Sequence, residues 1–170
     1  HKFKILYKGK NNFVAHECIL DFRDLKSKTG LSVNDLAKRL IDYSFHAPTI
    51  SWPVPETIMI EPTESESLVE LDRFCEAMLL IGEEISEIEK NIELKNNNVI
   101  SNAPHTLKEL IADNWHYPYS KEKASFPYKT PTSIKFWSSV SRINNAYGDR
   151  NLICSCNVNQ GETFEEKKCA

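Results

Sequence analysis

The densest group of chemically capable side chains is Glu61, Thr63, Glu64 and Glu66, packed into one short stretch. Carboxylates beside a hydroxyl can hold a proton, orient a histidine or repel a substrate carboxylate. The same residue types also cap helices, because first-turn amide groups need acceptors and the helix dipole favours negative charge. Capping is the simpler reading here. His46 follows a predicted helix end, where an imidazolium is favoured, and it is the histidine to place near a site. Arg23 closes a predicted strand and could hold a carboxylate or phosphate; an ordinary ion pair with Asp21 or Asp24 competes with that reading. Cys154-Ser155-Cys156 offers two closely spaced thiols, either inert or a redox switch. They are too close to bridge each other easily. His16, His46, His105 and His116 are widely spaced, with no i, i+4 pair and no cysteine pair to complete a zinc quartet, so no metal is expected. His16 reads as a strand histidine bonded inside the fold.

The elements that must position these groups follow from periodicity. Phe13–Arg23 alternates like a strand, and Val14, His16, Cys18, Leu20 and Phe22 form the face expected against helices. Asp24–Gly30 reads as a loop. Ser32 and Asp35 form an imperfect capping box ahead of Val33, Leu36, Ala37, Leu40 and Ile41, which predicts a helix ending near Tyr43. Arg39 falls on the polar face of that helix and is expected to be exposed. Thr49–Trp52 and Thr57–Ile60 are short β-favouring runs flanking Pro53-Val54-Pro55-Glu56, a hairpin whose prolines confine it to an edge. Pro62 stops the second run. Thr63-x-x-Glu66 and Ser67-x-x-Glu70 both match the capping-box pattern, and Thr63 or Ser65 is the expected cap. Leu68, Leu71, Phe74, Cys75, Met78, Ile81, Ile85 and Ile88 then form one stripe of a helix running from about Glu66 to Lys90.

Asn91–Asn102 loses periodicity and reads as a flexible connection, with a short helix after Thr106. Beyond Trp115 prolines interrupt aromatics. Trp115, Tyr117, Tyr119, Phe126, Tyr128, Phe136 and Trp137 are too many for loops to bury, so several are expected to share an exposed patch. Tyr147-Gly148-Asp149 reads as a turn before a strand at Leu152–Cys154, and the end of the chain as frayed. The element order implies an α+β fold: a short, mostly antiparallel sheet with helices on one face and a long irregular C-terminal extension. Residues 1–95 form the α+β unit, and residues 96–170 an extension packing on it and on a missing parent.

Composition narrows the function. The chain has 170 residues, 41% hydrophobic and 26% charged, with a net charge of −3, as expected of one globular domain. No basic cluster suggests nucleic acid or an anionic membrane, and no run approaches the ~18 apolar residues of a membrane span. Eleven acids between Glu61 and Glu93 stand against Arg73 and Lys90, a net of −9 that leaves +6 for the rest. This is either a solvated helix face or a docking face for a basic partner. Five cysteines at irregular spacing make a poor disulfide framework. Cys18 and Cys75 are expected to be buried thiols in a reducing compartment. The first residue is not Met, which fits a fragment or a processed product, and the first residues do not resemble a signal peptide.

Four stretches carry a resemblance. AHECILDFR (Ala15–Arg23), HAPTISWPVPETIMIEPTESE (His46–Glu66), LDRFCEAM (Leu71–Met78) and YGDRNLICSC (Tyr147–Cys156) resemble the pyridoxal-phosphate-dependent glycine decarboxylases, the P-proteins of glycine cleavage systems. The likeness runs from about Leu6 to Cys156. It implies the small C-terminal domain of a fold-type-I pyridoxal-phosphate enzyme. It also implies decarboxylation of glycine with transfer of the aminomethyl group to the lipoyl arm of H-protein, in a dimeric parent. That parent would be cytoplasmic in a bacterium and mitochondrial in a eukaryote. On this reading His46, Thr63, Glu64 and Arg23 line one side of a site whose cofactor lysine lies in the missing part. The family holds its cofactor on a His-Lys pair followed by a glycine-rich loop; His1-Lys2 is followed instead by Phe3-Lys4-Ile5-Leu6, so it does not qualify. The family usually has Gly where Ser44 and Glu56 stand, and a left-handed Ser44 would cost about 1 kcal/mol. The rival reading is a free-standing small α+β ligand-binding or regulatory module; a purely structural subunit of a split enzyme is a third.

Overall fold

The computed structural model describes residues 3–91, 94–128 and 135–153. Four short strands, β1 (Lys4–Ile5), β2 (Cys18–Asp21), β3 (Thr49–Ile50) and β4 (Thr57–Ile60), form one sheet in the order β1-β2-β4-β3. Every pairing is antiparallel. Ile5, Leu20, Ile58 and Ile50 are successive cross-strand partners. Directly opposed residues share a face, and Leu20, Ile58 and Ile50 all join the main core.

The strand expected over Phe13–Arg23 is only four residues long. Its last rung is Cys18 with Ile60, and Pro62 follows two residues later. Without a partner the extension toward Phe13 has no ladder to join; Phe13, Val14 and His16 are exposed. His16 is therefore not an interior strand histidine. Leu20 and Phe22 do face the helical core as expected. The stretch read as a loop after Asp24 contains a short helix, α1 (Leu25–Thr29), ended by Gly30 at φ 81°. The glycine that suggested a loop is a left-handed helix stop.

Helix α2 (Val33–Asp42) starts where the capping box placed it: the Ser32 amide and hydroxyl both donate to Asp35 Oδ2, at 2.7 and 2.8 Å. Ser44, just beyond it, is left-handed at φ 65°, and Glu56 in the hairpin is left-handed at φ 56°. Both positions thus have the backbone that glycine adopts without strain. Glu56 compensates with its side chain, whose Oε2 accepts the Val33 amide at 3.3 Å.

Helix α3 (Leu68–Lys90) has 23 residues, about 35 Å of rise. Ser67 is its cap, accepting the Glu70 amide at 3.2 Å, so neither Thr63 nor Ser65 caps it. Those two residues close an earlier turn: Glu66 N–H donates to the Thr63 carbonyl, and the two hydroxyls lie 2.9 Å apart. The apolar stripe is buried only in part. Ala77, Met78, Ile81 and Ile88 are in the core, while Leu68 is 72% exposed and Cys75 is an exposed thiol rather than a buried one. Cys18 is half-buried, and burial raises its thiol pKa.

The asparagine-rich segment is built into the core rather than being a loose connection. Asn98 is buried, donates to the Leu94 carbonyl, and accepts the amides of Ile100 and Ser101. Val99 and Ile100 sit in the same core as the sheet and α2. Helix α4 (Leu107–Ile111) follows Thr106 as expected, and the structure adds a Thr106–Glu109 capping box at its start. Two further short helices, α5 (Lys121–Ser125) and α6 (Asn145–Arg150), were not expected; α6 replaces the turn read at Tyr147-Gly148-Asp149. Leu152 and Ile153 are exposed and unpaired in any strand, and the rest of that predicted strand lies outside the described residues. The later aromatics divide. Trp115, Tyr117, Tyr119, Tyr128 and Trp137 are half-buried, whereas Phe126 and Phe136 are exposed. No helix of the described residues is long and apolar enough to cross a membrane.

Candidate functional site

The residues singled out from the sequence lie on the surface. His46 is exposed in the turn after α2, and Glu61, Thr63, Glu64 and Glu66 are exposed between β4 and α3. Arg23 forms the ordinary pair: its Nε and Nη2 donate to both oxygens of Asp21 at 2.9 and 2.8 Å. Those hydrogen bonds hold the Asp21 carboxyl well below the usual carboxylate range. Among the described residues no hydrogen bond or ion pair joins Arg23, His46, Thr63 and Glu64 to one another. His16, Glu17 and Glu61 do bring three potential ligand atoms within 4.8 Å of one another, on an open surface. Cys154 and Cys156 lie outside the described residues.

The start of α3 is tethered on one side. Arg73 Nη1 donates to the Tyr43 carbonyl at 3.0 Å, and its guanidinium lies 3.7 Å from the centre of the Phe45 ring. Phe74 meets the same ring edge-on at 5.3 Å. The Leu-Asp-Arg-Phe run therefore grips the segment that carries His46, and Glu70 holds the guanidinium from below through Nε and Nη2. The pairing lowers the Glu70 pKa.

A second constellation was missed. Arg39, expected to be exposed, is fully buried. Its Nε and Nη2 donate to Glu84 of α3 at 3.0 and 2.6 Å, and Nη1 donates to Asp42 at 2.9 Å. Nη1 and Nη2 also reach the carbonyls of Ala124 and Lys123, both at 2.7 Å. Burial opposes the guanidinium charge, but the facing Glu84 and Asp42 more than offset it, and its pKa is raised. His105 is buried beside it: its amide donates to Asp42 Oδ1, its Nδ1 lies 2.8 Å from Asp42 Oδ2 and its Nε2 lies 2.9 Å from the Tyr119 hydroxyl. Asn102 donates to that hydroxyl at 3.1 Å. Tyr119 stays protonated, its pKa raised by burial.

The signal for this network is faint but present. Arg39 sits at the edge of the Leu36 and Tyr43 side of α2, and Asp42 is three residues on, within reach. Nothing local points to Glu84 or His105, which are 45 and 63 residues from their partners. Every strong donor and acceptor in the network is occupied; Glu84 and Tyr119 border open surface pockets shared with Glu87 and Lys123, while Arg39, Asp42 and His105 line neither of them. The network joins α2, α3, the segment before α4, and α5, which is a structural task.

A pyridoxal phosphate does not fit the described residues. Its phosphate needs a cradle of backbone amides or an arginine beside one; five glycines are scattered along the chain, Arg23, Arg39, Arg73 and Arg142 are each paired with a carboxylate, and Arg150 stands exposed on α6. Its aldehyde needs an accessible lysine of lowered pKa. Lys135 has the lowered pKa, about 8 through burial, but its amine is turned onto the Asp42 carbonyl.

Residues 1–105 match the family model described as glycine dehydrogenase, C-terminal domain. The chain is 60% identical over 154 residues to a protein of Prochlorococcus marinus (strain NATL1A) named glycine dehydrogenase (decarboxylating). It is 56% identical over 156 residues to a protein of the same name from Thermosynechococcus vestitus. It is also 56% identical over 154 residues to the Dictyostelium discoideum protein named glycine dehydrogenase (decarboxylating), mitochondrial. These alignments cover 91–92% of the chain but 16% of each relative. The chain belongs to the family of glycine dehydrogenase C-terminal domains.

Proposed function

We propose that this chain serves as the C-terminal part of a glycine decarboxylase, in which a pyridoxal phosphate held elsewhere in a longer protein supplies the electron sink. The observation that carries this reading is 60% identity over 91% of the chain to a protein named for that reaction. The free-standing module is not favoured, because relatives with this sequence carry it as 16% of their length. In the whole enzyme glycine is the substrate, the lipoylated H-protein receives the aminomethyl group, and the parent is a dimer, cytoplasmic in a bacterium and mitochondrial in a eukaryote. Residues 96–170 act as an extension that packs on residues 1–95 and on the remainder of the enzyme.

Within that enzyme the turn after α2 and the β4–α3 junction line one wall of the site. His46, Thr63 and Glu64 are the side chains on offer there, the Arg73 grip on Tyr43 and Phe45 keeps the His46 turn in register with the junction, and Arg23 is a separate candidate at the opposite end of β2. An acidic wall would favour loss of the substrate carboxylate as carbon dioxide by repelling it. Cys154 and Cys156 remain candidates for a redox switch in which one of them pairs with a thiol elsewhere in the parent protein.

The test uses the full-length protein with pyridoxal phosphate, glycine and lipoylated carrier. Glycine-dependent release of carbon dioxide is expected, and none from this chain by itself. A folded, cofactor-loaded full-length protein without that release overturns the reading. Thr63→Ala and Glu64→Ala then address the wall. Because Ser67 is the helix cap, lost turnover in either variant at unchanged melting temperature reports on the site rather than on α3.

A further inference from the structure

We infer that the outer face of the first two turns of α3 is a docking surface for the remainder of the longer glycine dehydrogenase, and that the surface it meets is apolar at the centre and basic at the rim. The inference rests on the proposed function, which places this chain inside a longer protein.

The helix begins apolar before the core begins. Leu68, Leu71 and Cys75, spaced i, i+3 and i+7, share one side of the helix. Leu68 and Val69 are 72% and 73% exposed, Leu71 and Cys75 are also exposed, and the core is reached only at Phe74 and Ala77. Arg73 and Phe74 hold the opposite side against residues 43–45, so these turns are anchored with their apolar face outward. A solvated helix end would carry charge at Leu68, Val69 and Leu71. Large apolar side chains grouped on one exposed element mark an interface.

Two observations choose the occupant. The chain covers 16% of the relatives it matches, so most of such a protein lies outside it and is available to cover this face. The patch is also framed by acids: Glu64 and Glu66 precede it, and Asp72 and Glu76 lie within it. They belong to the stretch between Glu61 and Glu93 that carries eleven acids against two bases. Charges at an interface rim are matched by opposite sign on the partner, which requires lysines or arginines around the apolar centre that receives Leu68, Leu71 and Cys75.

Cys75 reports on the face directly. Native full-length protein is pulsed with a maleimide, and labelling of the peptide containing Cys75 is followed by mass spectrometry against the same protein unfolded in urea. The expected result is protection of about tenfold or more, as for a site that reacts only through local opening. It should not change on dilution, and it should fall as salt screens the rim. In the Leu68→Asp, Leu71→Asp protein, if it folds, protection should drop severalfold. Labelling of wild-type Cys75 at the unfolded rate overturns the inference. Protection that disappears on dilution assigns the face to a second copy and also overturns it, and protection indifferent to salt overturns the basic rim. Carbon dioxide release measured on the same preparation separates the two readings. Protection without release removes the function and leaves the interface, whereas release with an unprotected Cys75 removes only the interface.

Discussion

Around Glu84, α2 and α3 meet through charge that is buried and completely partnered; sixteen residues earlier, α3 starts with leucine and valine in water. The two ends of one helix thus invert the usual arrangement of polar outside and apolar inside. At Glu84 the inversion is repaired within the chain, because Arg39, Asp42, His105 and two carbonyls satisfy one another. At Leu68 nothing among the described residues repairs it. A buried charge with every bond made belongs to the architecture of the domain, and an exposed apolar turn belongs to an architecture larger than the domain.

The largest expected effect breaks the first half of this contrast. Arg39→Met leaves Glu84 and Asp42 buried without their counter-charge and should cost about 3–5 kcal/mol in urea unfolding. In Arg39→Met, Glu84→Gln the loss should be less than additive, with a coupling of about 1–3 kcal/mol. Additive losses would mean that the pair does not act as a unit. His105→Ala comes next. It removes the ring's bonds to Asp42 and Tyr119 and should cost about 1–3 kcal/mol; a negligible change would show that the His105 ring does not anchor this segment.

At the other end of α3 the effects are smaller. Ser67→Ala should cost about 0.5–2 kcal/mol as a lost cap, with Thr63→Ala near zero; the reverse order would return the cap to Thr63. Leu68→Asp should change the stability of this chain by no more than about 0.5 kcal/mol, since the side chain is already in water. A large loss there would mean that the face is covered within the chain. The smallest effect concerns Arg23. The Asp21 pKa is lowered in the folded protein, so its contribution is present above the ordinary carboxylate range and fades as pH falls through the folded value. Arg23→Ala should therefore lower stability slightly at neutral pH, with the two proteins converging in strong acid. A gap that widens with acidity would contradict the pairing.

The sequence by itself determined the α+β class, α2 with its Ser32–Asp35 box, β4, the extent of α3 to within two residues and a short helix after Thr106, but not β1 or α1. The elements it determined depend on neighbours within a turn or a strand, where spacing is enough. It also determined the family, through stretches that the comparisons match. Tertiary structure alone decided how far β2 extends, because a ladder ends where its partner does: Cys18 faces Ile60 and nothing continues beyond Pro62. It decided that Arg39 is buried, since the carboxylate that makes this tolerable arrives from 45 residues away. It decided that the asparagine-rich segment is core, because Asn98 satisfies its own turn while Val99 and Ile100 find the helices. And it decided which part of the α3 stripe is core and which faces outward. Periodicity records that a face is apolar; only the packing of the whole chain, and of whatever lies against it, says what covers that face.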